Sequence, residues 1–149
     1  MTVELTSTAE PELQRLEFAA LYAQAQQFYA HQLRLLDARD PDRWAETFTE
    51  DAVLEPPLGA APVRARTGIA RYGAARRRAG RRPRHWVGLL DVRPRPDGAL
   101  RTRCSALVHG TPDGGASKVL YVCVVEDVLV CGRGGWRTAH RLVVRDDLA

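Results

Sequence analysis

The sequence predicts an α+β fold, with three N-terminal helices packed on one face of a strongly curved, mostly antiparallel sheet. Two textures carry that expectation. From Phe18 to Leu36, apolar and aromatic residues recur at three-and-four spacing (Phe18, Leu21, Tyr22, Ala25, Phe28, Tyr29, Leu33, Leu36), as on one helical face. After Pro83 the chain becomes β-branched with period two, cut by RPDG, TPDGG and GRGG turns, which are hairpin signals. Helices followed by a meander is the order of one twisted sheet with helices on one side. Such a sheet, closed by a long helix, makes a cone-shaped barrel whose hollow is a natural small-molecule site.

Each element has a local reason. Met1 to about Glu12 reads as a frayed leader. Helix one spans Pro11 to Leu36, and Asp37 closes its apolar face. A second helix runs from Pro41 to Thr49, with Asp40 as N-cap and Pro41 at the first position, where its missing N–H costs nothing. Trp44 and Phe48, one turn apart, face that helix inward. Ala52 to Glu55 is a short strand stopped by Pro56-Pro57, and Leu58 to Arg66 is a Gly/Pro loop. Thr67 caps a third helix, apolar at Ile69 and Tyr72, that ends by Gly80. Four strands follow: Arg84 to Val92, Leu100 to Gly110, Lys118 to Cys131 and Trp136 to Arg145.

Composition narrows the function classes. The 149 residues form a single domain, long enough to bury a core. No apolar run approaches the roughly 20 residues of a spanning helix. The start, MTVELTSTAEPE, lacks the basic and apolar regions of a secretory signal. The expectation is a cytoplasmic protein with no membrane partner. Cys104, Cys123 and Cys131 are odd in number with no CxxC spacing, so neither disulfides nor a metal site is expected, and the thiols read as reduced and packed. The net charge is +4, and Lys118 is the single lysine among 22 basic residues. The densest basic run is RYGAARRRAGRRPR, Arg71 to Arg84. Nucleic-acid binding wants stacking residues or a groove-reading motif beside such charge, and only Tyr72 is there. A solvated helix face and loop is the expectation, with a polyanion contact as the alternative. Gly132, Gly134 and Gly135 follow a strand rather than open a helix, so no nucleotide site is proposed.

Four local motifs, in order, make the chain recognisable: LLDARDPDRWAETFTEDAV (Leu35 to Val53), RHWVGLLDV (Arg84 to Val92), VEDVLV (Val125 to Val130) and GWRTAHRLVVRDDL (Gly135 to Leu148). Over about residues 15 to 147 the sequence resembles the SnoaL-like group of the nuclear-transport-factor-2-like superfamily. The resemblance implies the cone-shaped barrel, homodimerisation through the sheet, and cofactor-independent chemistry of the kind that closes or dehydrates rings in aromatic-polyketide biosynthesis. Ring-hydroxylating dioxygenase small subunits share these motifs and are structural partners, so a non-catalytic ligand-binding or partner protein is the alternative. The scytalone dehydratases, also related, carry a D-x-x-D-x-D pattern at the end of the first helix, matched by Asp37, Asp40 and Asp42, and an H-aromatic-aliphatic-Gly motif, matched by His85, Trp86, Val87 and Gly88. Leu36 replaces their tyrosine and Ser105 falls near their second histidine. In ketosteroid isomerases the base follows a glutamate, whereas here Glu55 is followed by Pro56; their second acid lines up near Glu126.

The chemistry follows from those residues. A carboxylate beside an imidazole fixes its tautomer and orientation, and a histidine can accept and return protons near neutral pH. Asp37 and His85 are therefore the expected acid–base pair, unless they only satisfy one another inside the core. Glu126 is the expected second acid if its face, shared with Val122, Val124 and Val128, lines the cavity; a one-residue slip would bring Asp127 inward instead. Tyr22, Tyr29 and Gln32 lie on the inward stripe of helix one as groups that could position a substrate, with plain packing as the other role of the tyrosines. Trp86, Ser105 and His109 complete the candidate substrate-binding set, Trp86 also reading as a packing residue and His109 as a rim residue beside the TPDGG turn. His31 and His140 read as structural. The expected ligand is a small hydrophobic or aromatic molecule, with no cofactor.

Overall fold

The computed structural model describes residues 9–78, 82–111 and 115–148. Helix α1, Ala9–Asp37, begins inside the expected leader, because Pro11 falls in its first turn where no N–H is needed; residues 1–8 lie outside the described residues. Its end is fixed by a Schellman arrangement. The Arg39 N–H donates to the Leu36 carbonyl (3.1 Å) and the Asp40 N–H to that of Leu35 (3.1 Å), with Arg39 left-handed at φ 62°. Asp40 immediately starts α2, Pro41–Glu46, by accepting from the Arg43 N–H (3.2 Å). The corner therefore has no slack, and it holds Asp37 in place.

Helix α2 is shorter than its pattern suggests. The Thr47 carbonyl accepts from the Thr138 N–H (2.9 Å), so the chain has already joined the sheet. Strand β1 is Phe48–Glu55, not only Ala52 to Glu55, and a two-residue β2, Val63–Arg64, pairs with it inside the expected loop. Helix α3, Ala65–Arg78, packs on β1. It also packs on α2, and Gly73 makes that second approach possible: an added Cβ would sit 3.1 Å from Pro41 Cβ and from Trp44 Cε3. Strands β3 (Pro83–Pro94), β4 (Leu100–Gly110), β5 (Lys118–Gly132) and β6 (Gly135–Arg145) make the meander, and η1, Asp146–Leu148, follows.

The sheet order is β2-β1-β6-β5-β4-β3, antiparallel except where β1 runs parallel to β6. The sheet curls around a hollow without closing, as predicted for this α+β class. Even residues of β4 (Leu100, Thr102, Cys104, Ala106, Val108) are buried while Arg101, Arg103 and Leu107 are exposed. A bulge at Leu89 (φ 53°) breaks this alternation in β3. It leaves His85 and Val87 on the inner face before it, and Leu90 and Val92 on the inner face after it. One core cluster joins Ala25, Phe28 and Tyr29 of α1 to Val92, Leu100, Cys104 and Leu129; the other joins Trp44, Ala45, Phe48, Ala52, Leu54 and Ile69. No helix among the described residues is long and apolar enough to cross a membrane.

Candidate active site

Between α1, α3 and the concave face lies a largely apolar cavity, with about 80 Å³ open to the centres of water molecules. Leu33, Leu36, Leu54, Val87, Val108 and Val143 supply much of its wall; Tyr29, Tyr72, Tyr121, Arg76, His85 and Arg141 supply its polar groups.

The structure brings Asp37 and His85 together at this cavity. The Asp37 Oδ1 lies 2.7 Å from His85 Nδ1, and Oδ2 accepts from the His85 backbone N–H at 3.2 Å. A carboxylate gripping both ring and backbone fixes the imidazole in two directions. Because a carboxylate only accepts, Nδ1 carries the proton in the neutral imidazole, and in that tautomer Nε2 has the lone pair. No described residue hydrogen-bonds Nε2. Only 10% of the His85 side chain and 22% of the Asp37 side chain is exposed. The pair also borders an open groove between α1 and β3, lined by Gln26, Arg34 and Trp86 among others.

The other sequence candidates are distributed differently. Glu126 is on the outer face, half exposed, 3.3 Å from Arg103. Asp127 points inward and is 2% exposed. Valines occupy both faces of this strand, so hydrophobicity alone could not fix its register. The pairing fixes it: Thr102 stands opposite Asp127, and Arg103 opposite Glu126. Ser105 and His109 also sit on the outer face of β4, and neither lines the cavity. His109 accepts from the indole N–H of Trp86 (2.8 Å) and pairs with Ser117 (2.9 Å). Trp86 is 68% exposed and reaches only the groove. Tyr22 packs beside Phe18 and accepts from Gln26 (3.2 Å), away from the cavity. His140 meets Glu55 (2.7 Å) at a partly exposed site.

Gln32 and Tyr29 belong to a buried network that sequence reasoning missed. Arg141 donates from Nε to Asp127 Oδ1 (2.9 Å) and from Nη2 to Oδ2 (2.7 Å), and also to the Gln32 carbonyl. The Gln32 amide donates to Thr47 (2.8 Å) and Thr138 (3.1 Å). The Tyr29 hydroxyl donates to Asp127 Oδ2 (2.7 Å) and lies 2.6 Å from Thr102 Oγ1. Gln32 is fully buried and does not line the cavity, so its amide is committed to the network and not to a ligand. Tyr29 and Arg141 do line it. Burial first, then the Asp127 charge, raises the Tyr29 pKa far above the ordinary phenol value. For Arg141 burial pulls downward, but the charge and hydrogen bonds of Asp127 outweigh it and keep the guanidinium charged. Cys104 is pushed up to about 12 by burial and then by Asp127, so its thiol stays protonated and unreactive. The usable signal was an arginine at Arg141 and an acid at Asp127, each inside an apolar strand, since buried charges require partners.

Comparison with known proteins agrees with this architecture. The model of the SnoaL-like domain matches residues 17–142. Aln2 from a Streptomyces species is 34% identical, with 87% of this chain and 93% of that one covered and a TM-score of 0.80. ActVI-ORFA from Streptomyces coelicolor is 32% identical over 85% and 98% of the two chains, with a TM-score of 0.79. A protein from Catenulispora acidiphila solved in complex with S-DNPA is 35% identical over 87% and 96%, with a TM-score of 0.78. No curated protein sequence matches the chain. The chain belongs to the SnoaL-like domain family.

Proposed function

We propose that this protein is a cofactor-independent acid–base enzyme that cyclises or dehydrates an aromatic or polyketide-derived intermediate. The observation that carries this reading is the 2.7 Å Asp37–His85 contact at the wall of an apolar cavity. His85 Nε2 accepts a proton from a carbon beside a carbonyl and later returns it to a leaving hydroxyl or a closing ring. Asp37 keeps Nδ1–H oriented and stabilises the imidazolium formed during transfer. The complex of a relative with S-DNPA supports a small-molecule ligand.

The test is turnover of a polyketide-derived ketone by purified protein. Asp37→Asn and His85→Gln lower kcat by about 10²–10⁴-fold, with ligand affinity nearly retained. Full activity in both variants would refute these roles and favour a non-catalytic binding protein.

The outer sheet face carries Leu107, Val119 and Val144, respectively 37%, 58% and 41% exposed. As the family resemblance implies, this face pairs with a second copy of the chain. Leu107→Asp would then shift the sedimentation mass from dimer to monomer; a wild-type monomer would refute the pairing.

A further inference from the structure

Part of the basic run Arg71 to Arg84 is not accounted for by the acid–base pair. Arg76 donates from Nη1 to the Tyr72 hydroxyl (3.0 Å) and from Nη2 to the Tyr121 hydroxyl (3.0 Å), tying α3 to β5. All three side chains line the cavity that His85 lines. Arg76 is exposed and both tyrosines are partly buried, so the cluster sits at the cavity mouth.

Its hydrogen bonding is one-sided. Both phenol oxygens accept from the guanidinium, which leaves each O–H free to donate. No described residue accepts from either hydroxyl, and no described carboxylate forms an ion pair with Arg76. The contrast with its neighbours is direct: Arg141 is neutralised by Asp127, and Arg145, whose Cζ lies 4.3 Å from the Tyr121 ring centroid, is paired with Asp147. The indole N–H of Trp44, another cavity-lining ring, is buried and also lacks an acceptor among the described residues. The mouth therefore offers one positive charge without a counter-ion and two phenol hydroxyls without an acceptor among the described residues. A carboxylate, with one negative charge and acceptors only, answers both deficits.

We propose that Arg76, Tyr72 and Tyr121 hold a carboxylate on the ligand, so that the substrate class is an aromatic carboxylic acid. The apolar body enters the cavity toward His85 while the acid group stays at the mouth. This rests on the acid–base reading only in requiring a small molecule in that cavity. It also gives part of the basic run a role other than a solvated face or a polyanion contact.

The experiment compares 2-naphthylacetic acid with 2-naphthylacetamide by calorimetric titration at pH 7.5, which separates charge from shape. Wild-type protein should bind the acid roughly ten- to a hundredfold more tightly, the range of a charge-assisted contact. Arg76→Gln should bring the two affinities within about twofold, chiefly by weakening the acid, and Arg76→Lys should keep part of the preference because it keeps the charge. Tyr121→Phe, which retains the ring, should reduce the preference without touching the charge. His85→Gln should leave it intact, because the readout does not depend on turnover. Equal binding by the wild type, or a preference that survives Arg76→Gln, would overturn the carboxylate site and leave the acid–base pair standing. Failure of both probes to bind would overturn it together with the ligand cavity it needs.

Discussion

Replacing Asp127 by asparagine removes one charge from the interior without changing side-chain size, so no cavity term enters. Asp127 is fully buried at its side chain and accepts from Arg141 twice and from Tyr29 once. The amide oxygen can still accept from Tyr29, but the Arg141 guanidinium, 6% exposed, loses its counter-charge. Leaving a buried charge uncompensated costs about 3–5 kcal/mol, a large part of the roughly 5–15 kcal/mol that holds a domain folded. At this chain length that corresponds to a fall of roughly 10–15 °C in Tm. Glu126→Gln, one residue away, breaks only the partly exposed contact with Arg103 and should cost under about 1 kcal/mol. Adding Arg141→Met to Asp127→Asn removes the orphaned charge and should recover more than half of the loss, leaving the Gln32 carbonyl as the residual cost. The assay is urea unfolding of the wild type and the three variants, with calorimetric Tm values. Equal losses from Asp127→Asn and Glu126→Gln, or no recovery in the double variant, would refute the strand register and the network built on it.

Three further outcomes are expected. Two helix glycines should respond oppositely: Gly68→Ala, with its nearest contact 3.5 Å away at Val63, gains about 0.5–1 kcal/mol, whereas Gly73→Ala meets Pro41 and Trp44 at 3.1 Å and loses about 1–2 kcal/mol; the same change in both by urea unfolding would contradict the α2–α3 packing. Among the three thiols, exposed Cys131 should react with an aromatic disulfide at pH 8 while buried Cys104 and Cys123 wait for denaturant; three fast thiols would rule that burial out. Cys104 stays protonated in the folded state to about 12 against an ordinary 9.0, so above pH 9 only the unfolded chain ionises there; the stability present below that pH is lost progressively toward pH 12, and Cys104→Ala should flatten that slope in pH-dependent unfolding.

The helical half and the meander were legible in the sequence because each rests on a period. Spacing of three and four placed Ala25, Phe28 and Tyr29 in the core, and period two with GRGG and RPDG turns placed the four long strands. The sharp corner at Asp40-Pro41 was legible too, since capping chemistry is local, and it put Asp37 at the end of a helix. The sequence could nominate His85 as its partner through a family motif. Only the folded chain, with α1 crossing β3, sets the distance between side chains 48 positions apart.

Register, bulges and neutralisation of buried charge were decided in three dimensions. Nothing within the valine-rich strand distinguishes Glu126 from Asp127; the hydrogen-bonded partner strand does, by placing Thr102 beside one and Arg103 beside the other. Pairing with Thr138 cuts α2 short despite its helical pattern. Ser105 and His109 fell outside the cavity for the same reason of parity. Periodicity along one strand reports that two faces exist, whereas the neighbouring strand and the helix above it determine which face is dry.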